Sequence, residues 1–149
     1  MRNTLTGSIA VVAFLAVALA GGMISAGCSS DNDPPSALYN VWQLQDFTLA
    51  DGTVVVVDDS TKYTVEFRTD DTVTVRADCN TCNGSFTADD NSLSIGPMAC
   101  TLAACGEGSF DAQYLLALST ASDYELTPVL LLDYAGGTMR FTPVPTLFQ

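Results

Sequence analysis

Four cysteines hold most of the reactive chemistry in this 149-residue chain, and they fall into two close pairs. Cys79 and Cys82 stand in CNTC, and Cys100 and Cys105 stand in CTLAAC. Two thiol pairs separated by a loop can bind a zinc ion, act as a redox-active dithiol or close as structural disulfides. Each use requires different neighbours, so the surrounding residues and the compartment decide between them.

The neighbouring residues favour disulfides. Paired cysteines resemble a zinc ribbon, but the second pair has four intervening residues and the chain contains no histidine. A redox dithiol needs a helix N-terminus or a cation to stabilise its thiolate, whereas Asp78 precedes Cys79 and disfavours that charge. Exported thiols are oxidised unless protected. We therefore predict two structural disulfides, no metal and no cofactor.

The N-terminus is typical of a secretory signal. A free amine and Arg2 precede an uncharged apolar stretch over residues 9–20, and small residues follow it. This stretch is short for a membrane span, which needs about 20 apolar residues. We predict a signal peptide over residues 1–27.

The end of this segment resembles the lipobox of bacterial lipoproteins. It reads Ser25-Ala26-Gly27-Cys28, and the resemblance implies acylation of Cys28, which then becomes the new N-terminus. Ser29 follows, whereas Asp at that position favours inner-membrane retention in some Gram-negative bacteria. The outer membrane is therefore favoured if the host is Gram-negative. The polar residues 28–37, with two prolines, are predicted to be a flexible tether.

The charge of the chain argues against nucleic acid as a partner. Its formal net charge is −12. The basic side chains after Cys28 are Lys62, Arg68, Arg76 and Arg140. Such a surface repels phosphate backbones.

The folded part is predicted to be one domain over residues 38–149, and its first half is β in pattern. Apolar residues alternate with polar ones in KYTVEF and TVTVRA, which are joined by the tight turn RTDDT. VWQLQDFTL and TVVVV precede them, and GSFTADDNSLSI follows as another hairpin. About eight short strands are expected in total.

One segment breaks the strand pattern. GSFDAQYLLALSTA has apolar residues at helical spacing, which predicts an amphipathic helix over about 109–120 with Ser109 as its N-cap and Asp111 in its first turn. DYELTPVLLLDY and TMRFTP then form a final hairpin around Ala135-Gly136-Gly137. The predicted fold is mainly β (α+β), a small antiparallel β-barrel-like domain with one helix before the last strands.

The register of one hairpin bears on how the cysteines pair. In SFTADDNSLSI the turn at residues 89–91 sets Phe86 opposite Ile95. Extending that register brings Cys82 opposite Ala99, next to the second cysteine pair.

This register favours Cys82 with Cys100 and leaves Cys79 for Cys105. A register displaced by two residues would instead place Cys79 opposite Cys100. Four cysteines allow three pairings, so the alternatives stay open at this point.

A series of motifs runs through nearly all of the chain after the tether. They are VWQL, KYTVEF, Cys79-Asn80, Gly84-Ser85-Phe86, Ile95-Gly96-Pro97-Met98-Ala99, Thr101, Cys105, FDAQYLLAL and LLLDYAGGTMRF. In this order and spacing they resemble the META-domain family (HslJ-like), a group of exported bacterial proteins that includes a heat-shock lipoprotein.

The resemblance carries several implications. This chain has Asp78 where many members have Gly, and Cys82 and Cys100 where they often have an aromatic residue and Ser. The two cysteines occur together, which implies a second bridge, Cys82 to Cys100, added to a shared bridge from Cys79 to Cys105. The resemblance also implies a barrel-like fold with one helix, related in shape to the lipid-binding pilotins of secretion systems. It brings no established reaction and no catalytic residues.

The sequence therefore predicts a non-enzymatic, lipid-anchored envelope protein in a binding or stress-related role, with a partner protein or an apolar ligand. The alternative is a hydrolase that uses Asp58 and Asp59, or Asp89 and Asp90, as paired carboxylates. Each pair has the composition of a solvated turn. Calcium binding by DSTKYTVEF or ADDNS is a further alternative, although neither has the spacing of an EF-hand loop.

Overall fold

A computed structural model describes residues 33–145 of the chain. The predicted signal peptide, Cys28 and the first part of the tether lie outside the described residues. A 3-10 turn at Ser36–Leu38 overlaps the end of the predicted tether. Within the described part, no helix combines the length and the apolar content that a bilayer span requires.

The described residues form ten strands and one α-helix. The strands are β1 (Val41–Leu49), β2 (Val54–Val56), β3 (Tyr63–Phe67), β4 (Thr72–Ala77), β5 (Asn80–Asp89), β6 (Ser92–Ile95), β7 (Ala99–Cys100), β8 (Ala121–Leu126), β9 (Leu130–Tyr134) and β10 (Gly137–Pro143). The helix α1 spans Asp111–Ser119. The mainly β fold with one helix before the last strands is confirmed.

Eight strands close into an antiparallel barrel. The order around it is β1, β3, β4, β5, β6, β8, β9 and β10, and β10 pairs again with β1. β2 is added beside β1, and β7 is added beside β5. Closure removes the free edges that an open sheet of this size would expose.

The predicted alternation fills the interior of the barrel. Tyr63, Val65 and Phe67 of β3 are all buried, and they lie opposite the inward-facing residues of β4. Because successive side chains of a strand point to opposite faces, one face of each strand supplies the core. That core contains 24 buried hydrophobic residues.

A bulge in β1 changes which of its side chains face outward. The pairing with β10 shifts between Leu44 and Asp46, so that Phe47 points inward and Asp46 points outward. Asp46 is nevertheless buried, and it accepts a hydrogen bond from the guanidinium of Arg140 on β10.

The antiparallel register divides the connections between two ends of the barrel. The tether end holds the start of β1, the end of β10 and the turns after β3, β5 and β8. The stapled end holds the turns after β1, β4 and β9, the loop at residues 101–110 and the helix. The N-terminal tether therefore enters the domain at the end opposite the cysteines.

The segment before β1 covers the tether end. Leu38 is fully buried, and its carbonyl accepts a hydrogen bond of 3.0 Å from Trp42 Nε1. The Tyr39 ring lies 6.4 Å from the Phe86 ring. These contacts make the last residues before β1 part of the core.

The helix covers the stapled end. Tyr114, Ala117 and Leu118 face the core, and the Tyr114 ring stands edge-on to Tyr63 at 5.8 Å. Burial raises the pKa of Tyr114 well above its usual range, and its hydroxyl has no hydrogen-bond partner among the described residues.

The start of the helix corrects the predicted N-cap. The helix begins at Asp111, so Phe110 rather than Ser109 is the N-cap residue. The Ser109 hydroxyl still accepts a hydrogen bond of 3.2 Å from the Asp111 N–H. The Phe110 N–H donates to the Tyr63 hydroxyl at 2.9 Å, which ties the residue before the helix to β3.

The final strands also differ from the prediction in number. DYELTPVLLLDY is divided between β8 and β9 by a turn at residues 127–129, where the Thr127 N–H donates to the Val129 carbonyl at 2.9 Å. The predicted hairpin across Ala135 and Gly136 is present as β9 and β10.

Candidate functional site

The two cysteine pairs lie together at the stapled end. The structure joins Cys79 to Cys105, with Cα atoms 5.5 Å apart, and Cys82 to Cys100, with Cα atoms 4.0 Å apart. These are the pairs that the hairpin register favoured and that the family resemblance implied. The outer bridge ties the turn after β4 to the loop at residues 101–110, and the inner bridge ties β5 to β7.

The position of Cys100 corrects the register that the sequence predicted. Phe86 lies opposite Ile95 as expected, but Cys82 lies opposite Cys100 rather than Ala99. The segment Gly96–Met98 leaves the ladder between β6 and β7 and adds one residue to that side. This extra residue places the two cysteines directly across from each other.

Gly84 makes the return of this segment possible. A Cβ at Gly84 would lie 3.0 Å from Met98 Cγ and 3.1 Å from the Pro97 carbonyl oxygen. Both distances are tighter than ordinary packing, so the segment before β7 can approach β5 only where a side chain is missing. This contact is a structural reason for the motif residues Gly84, Pro97 and Met98.

Asn80 anchors the loop that follows β7. Its side-chain oxygen accepts from the Ala103 N–H at 2.8 Å and from the Thr101 hydroxyl at 3.1 Å. Its amide nitrogen donates to the Ala103 carbonyl at 3.1 Å and to Asp111 Oδ2 at 3.3 Å. The buried side chain is therefore satisfied by the loop and the helix, so it acts as an internal clamp and is not available to a ligand.

A polar pocket of about 220 Å³ lies beside the outer bridge. Its lining includes Ser109, Glu107 and Lys62, and the Lys62 ammonium lies 3.2 Å from Asp78 Oδ1. The pKa of the Asp78 carboxyl lies below its usual value, first because of the Ser109 hydroxyl and then because of Lys62. Asp78 is thus an ionised structural group here, since a general acid needs a raised pKa.

Two less polar pockets flank the helix. One, of about 610 Å³, runs between the loop at residues 101–104 and the helix, where Leu102 is 96% exposed. The other, of about 340 Å³, lies between the outer face of the helix and the turn after β9, and its lining includes Leu116 and Tyr134. None of the residues that line the second pocket is charged.

The predicted carboxylate pairs are not brought together. Asp58 and Asp59 lie near the stapled end, and Asp59 accepts hydrogen bonds from the Thr61 N–H and hydroxyl. Asp89 is the last residue of β5 and Asp90 begins the turn after it, at the tether end. All four side chains are exposed. Over residues 33–145, no group of three or more His, Cys, Asp or Glu side chains is arranged to hold a metal ion.

Comparison with protein families shows which family has this architecture. The META domain family model matches residues 36–145, which is nearly all of the described chain. The chain belongs to the META domain family. The match begins at the 3-10 turn that carries Leu38 and ends just after β10, so the family unit coincides with the barrel and its two covered ends.

Solved structures support the same fold. An NMR structure of a protein from Burkholderia xenovorans has a TM-score of 0.61 and 23% identity, and the match covers 85% of this chain and 99% of that one. A crystal structure of a DUF4847 family protein from Bacteroides vulgatus has a TM-score of 0.51 and 18% identity, with 70% and 92% of the two chains covered. At these identities the likeness concerns the fold alone. No curated protein matches the chain.

The sequence did not reveal how Asn80 and Asp46 are used. Asn80 begins β5, and its side chain holds the loop that follows β7. Asp46 lies in an alternating strand pattern that gives no sign of the bulge or of Arg140, which is 94 residues away. The only sequence signal for Asn80 was its place in the Cys79-Asn80 motif of the META domain.

Proposed function

We propose that this META domain protein is a non-enzymatic, lipid-anchored module of the cell envelope that binds a partner through its outer surface. The observation that carries the proposal is the filled barrel. Its interior is packed with side chains, and the segment at Leu38 and the helix cover its two ends. A binding role therefore falls to the outside of the domain.

The direction of the tether supports a role away from the bilayer. The chain enters the barrel at the tether end, and the stapled end lies opposite. A lipid on Cys28 would hold the tether end towards the membrane, so the helix and the loop at residues 101–110 would face outward. Leu102 and Leu116 lie on that end and are 96% and 66% exposed.

The carboxylate-hydrolase alternative has less support. A glycosidase-type mechanism needs two carboxyl groups that face each other across a substrate. The two predicted pairs lie at opposite ends of the barrel, and each consists of adjacent, exposed residues rather than of carboxyl groups on two sides of a cleft.

Intact mass spectrometry with and without reductant tests the anchoring and the bridges together. We expect the mature protein to carry a lipid mass at Cys28 and to expose four thiols only after reduction. The Cys28→Ala variant is the matched control and should lack the lipid mass. A mature chain that is unacylated and fully reduced would contradict the proposal.

A neutral apolar ligand is the second candidate for the partner. The uncharged pocket between the helix and the turn after β9 favours it, because the surrounding protein is strongly acidic. Organic extraction of the purified protein, followed by mass spectrometry, should then recover a compound that is lost in the Leu116→Asp variant.

Photo-crosslinking from the cell surface tests where a partner protein binds. A photoreactive residue at Leu102 or Leu116 should capture a partner, whereas the same residue at the exposed Asp89 of the tether end should not. Equal capture from both ends would argue against an outward-facing binding surface.

A further inference from the structure

β2 is an open strand edge on an otherwise closed barrel. β1 pairs with β3 through residues 41–43 and with β2 through residues 46–48 on the same side, so β2 continues the position of β3. Within residues 33–145, β2 stands at the end of the strand order and pairs with β1 alone. Closure of the barrel pairs its eight strands on both sides, whereas β2 keeps one unpaired edge.

The register shows which backbone groups of β2 are unpaired by the sheet. The Leu49 N–H donates to the Thr53 carbonyl at 2.8 Å, and the Val57 N–H donates to the Gln45 carbonyl at 2.9 Å. Residues 53, 55 and 57 thus turn their backbone towards β1. Because pairing alternates along an antiparallel strand, Val54 and Val56 turn their N–H and C=O groups to the open side.

The side chains of the same two residues are exposed. Val54 and Val56 are 56% and 66% exposed. Among the described residues, they are two of the four large hydrophobic side chains that are exposed to solvent. An exposed strand edge with β-branched side chains and no charge within the strand is a template for another strand.

Carboxylates border this edge at both ends. Asp51 precedes β2, and Asp58 and Asp59 follow Val57. None of the ion pairs within residues 33–145 uses these three acids, and the nearby Lys62 and Arg140 are each paired with another carboxylate. The edge therefore presents a short apolar strand with one carboxylate before it and two after it, of which Asp59 alone is partly offset by the charges of Lys62 and Arg76.

We infer that β2 is a binding site for an extended protein segment that has apolar residues at alternate positions and basic residues on both flanks. Such a segment would add a strand beside β2, with backbone hydrogen bonds to Val54 and Val56. Its Lys or Arg residues would lie near Asp51 at one end and near Asp58 and Asp59 at the other.

A second copy of this chain fits the edge less well. In an antiparallel pair of β2 strands centred on Val55, Val54 would face Val56 of the other copy, which satisfies the backbone. The same register would set Asp51 of one copy opposite Asp59 of the other. Like charges directly across a strand pair are destabilising, so the acidic borders select against self-pairing.

The inference rests on the proposed function in one respect, namely that the domain acts by binding. It does not depend on acylation. Failure of peptide binding in a protein that carries lipid at Cys28 would therefore remove this inference alone.

The test uses the protein purified in detergent and three labelled peptides, with binding measured by fluorescence anisotropy. The probe is Lys-Lys-Val-Thr-Val-Thr-Val-Lys-Lys. One control has Glu in place of every Lys, and the other has Pro in place of the central Val. We expect the probe to bind at least tenfold more tightly than either control, and to weaken several-fold when the salt concentration rises from about 50 mM to about 500 mM.

Val54→Pro is the decisive variant. It removes an N–H that faces the open side and leaves the β1 ladder intact, which is the strand position where Pro is tolerated. We expect at least a tenfold loss of probe binding and an unchanged circular dichroism spectrum. Thr87→Ala is the matched control, since Thr87 is an exposed β-branched residue of β5 that pairs with β6, away from β2, and the binding of this variant should be unchanged.

Hydrogen exchange provides a second readout. Saturating probe should slow exchange of the Val54 and Val56 amides in the wild-type protein. Absence of binding, equal binding of the Lys and Glu peptides, or full binding by Val54→Pro would overturn the inference. A concentration-dependent dimer that Val54→Pro abolishes would assign the edge to a second copy and would also overturn it.

Discussion

Removing the two disulfides separately and together should reveal that the bridges are nested. The inner bridge, Cys82 to Cys100, closes a loop of 18 residues inside the 26-residue loop of the outer bridge, Cys79 to Cys105. Each bridge stabilises the fold mainly by restricting the unfolded chain. Nested loops share that restriction, so the contribution of each bridge depends on whether the other is present.

The chain-entropy relation gives the size of the effect. With the inner bridge in place, the outer bridge closes only the eight residues by which 26 exceeds 18, and it contributes about 2.5 kcal/mol. With the outer bridge in place, the inner one contributes about 2 kcal/mol. Loss of both should cost about 5.5 kcal/mol, which exceeds the two single losses together by about 1 kcal/mol.

Urea unfolding of three alanine variants measures this difference. One variant changes Cys79 and Cys105 to alanine, a second changes Cys82 and Cys100 to alanine, and a third changes all four cysteines. Trp42 is the single tryptophan and is buried, so its fluorescence reports unfolding. Truncation of the buried Cys82 also removes packing, but that loss occurs with and without the outer bridge and cancels in the cycle.

The coupling between the two bridges should have a definite sign, with the double loss larger than the sum of the single losses. Losses that simply add, or a combined loss smaller than the sum of the single losses, would refute the nested-loop account. Intact mass spectrometry of each variant checks that the remaining bridge has formed.

Four further substitutions test individual contacts. Asn80→Ala should lower the free energy of unfolding by about 3 kcal/mol, because buried loop groups lose their partners, and limited proteolysis should then cut the loop at residues 101–110. Asp78→Asn keeps a residue that tolerates the local φ of 55°. The folded-state pKa of Asp78 is lowered from 3.8, so its contribution to stability is present above 3.8 and is lost as pH falls through the folded pKa. The variant should reduce the melting temperature at pH 7, and the reduction should shrink as the pH falls below 3.8. A reduction that does not change with pH would contradict the assignment. Gly137→Ala should lower the free energy of unfolding, measured in urea, by about 2 kcal/mol or more. Gly137 has φ of 144°, and an added Cβ would collide with a β1 carbonyl. Gly106→Ala is the neutral control, because an added Cβ there would have no atom within 4 Å. Tyr114→Phe should leave stability unchanged or raise it by about 1 kcal/mol, since the hydroxyl is buried without a partner among the described residues, and a clear loss in calorimetry would show that it is bonded.

Local pattern was sufficient for much of the fold. The alternation at Tyr63, Val65 and Phe67 predicted a buried face, because side chains of a strand alternate between its faces regardless of the partner strand. The register of Phe86 with Ile95 was also predictable, since a short turn fixes which residues face each other. The presence of one helix followed from its spacing.

Irregular positions in the strands were not predictable to the residue. Gly96–Met98 leaves the ladder and moves the partner of Cys82 from Ala99 to Cys100. The bulge in β1 turns Asp46 outward, to Arg140. A bulge forms where neighbouring segments compete for space and hydrogen bonds, and those neighbours are distant in sequence.

The sequence by itself determined the strand-rich class, the family motifs and the two cysteine pairs that could join, because these depend on composition, short-range periodicity and turns. Only the tertiary structure decided that β10 closes on β1, that Asn80 holds the loop beside the bridges and that β2 remains an open edge. Each of these depends on contacts between residues far apart in the chain. Such contacts form only when the barrel closes, and no local pattern specifies which groups closure will bury and which it will leave free.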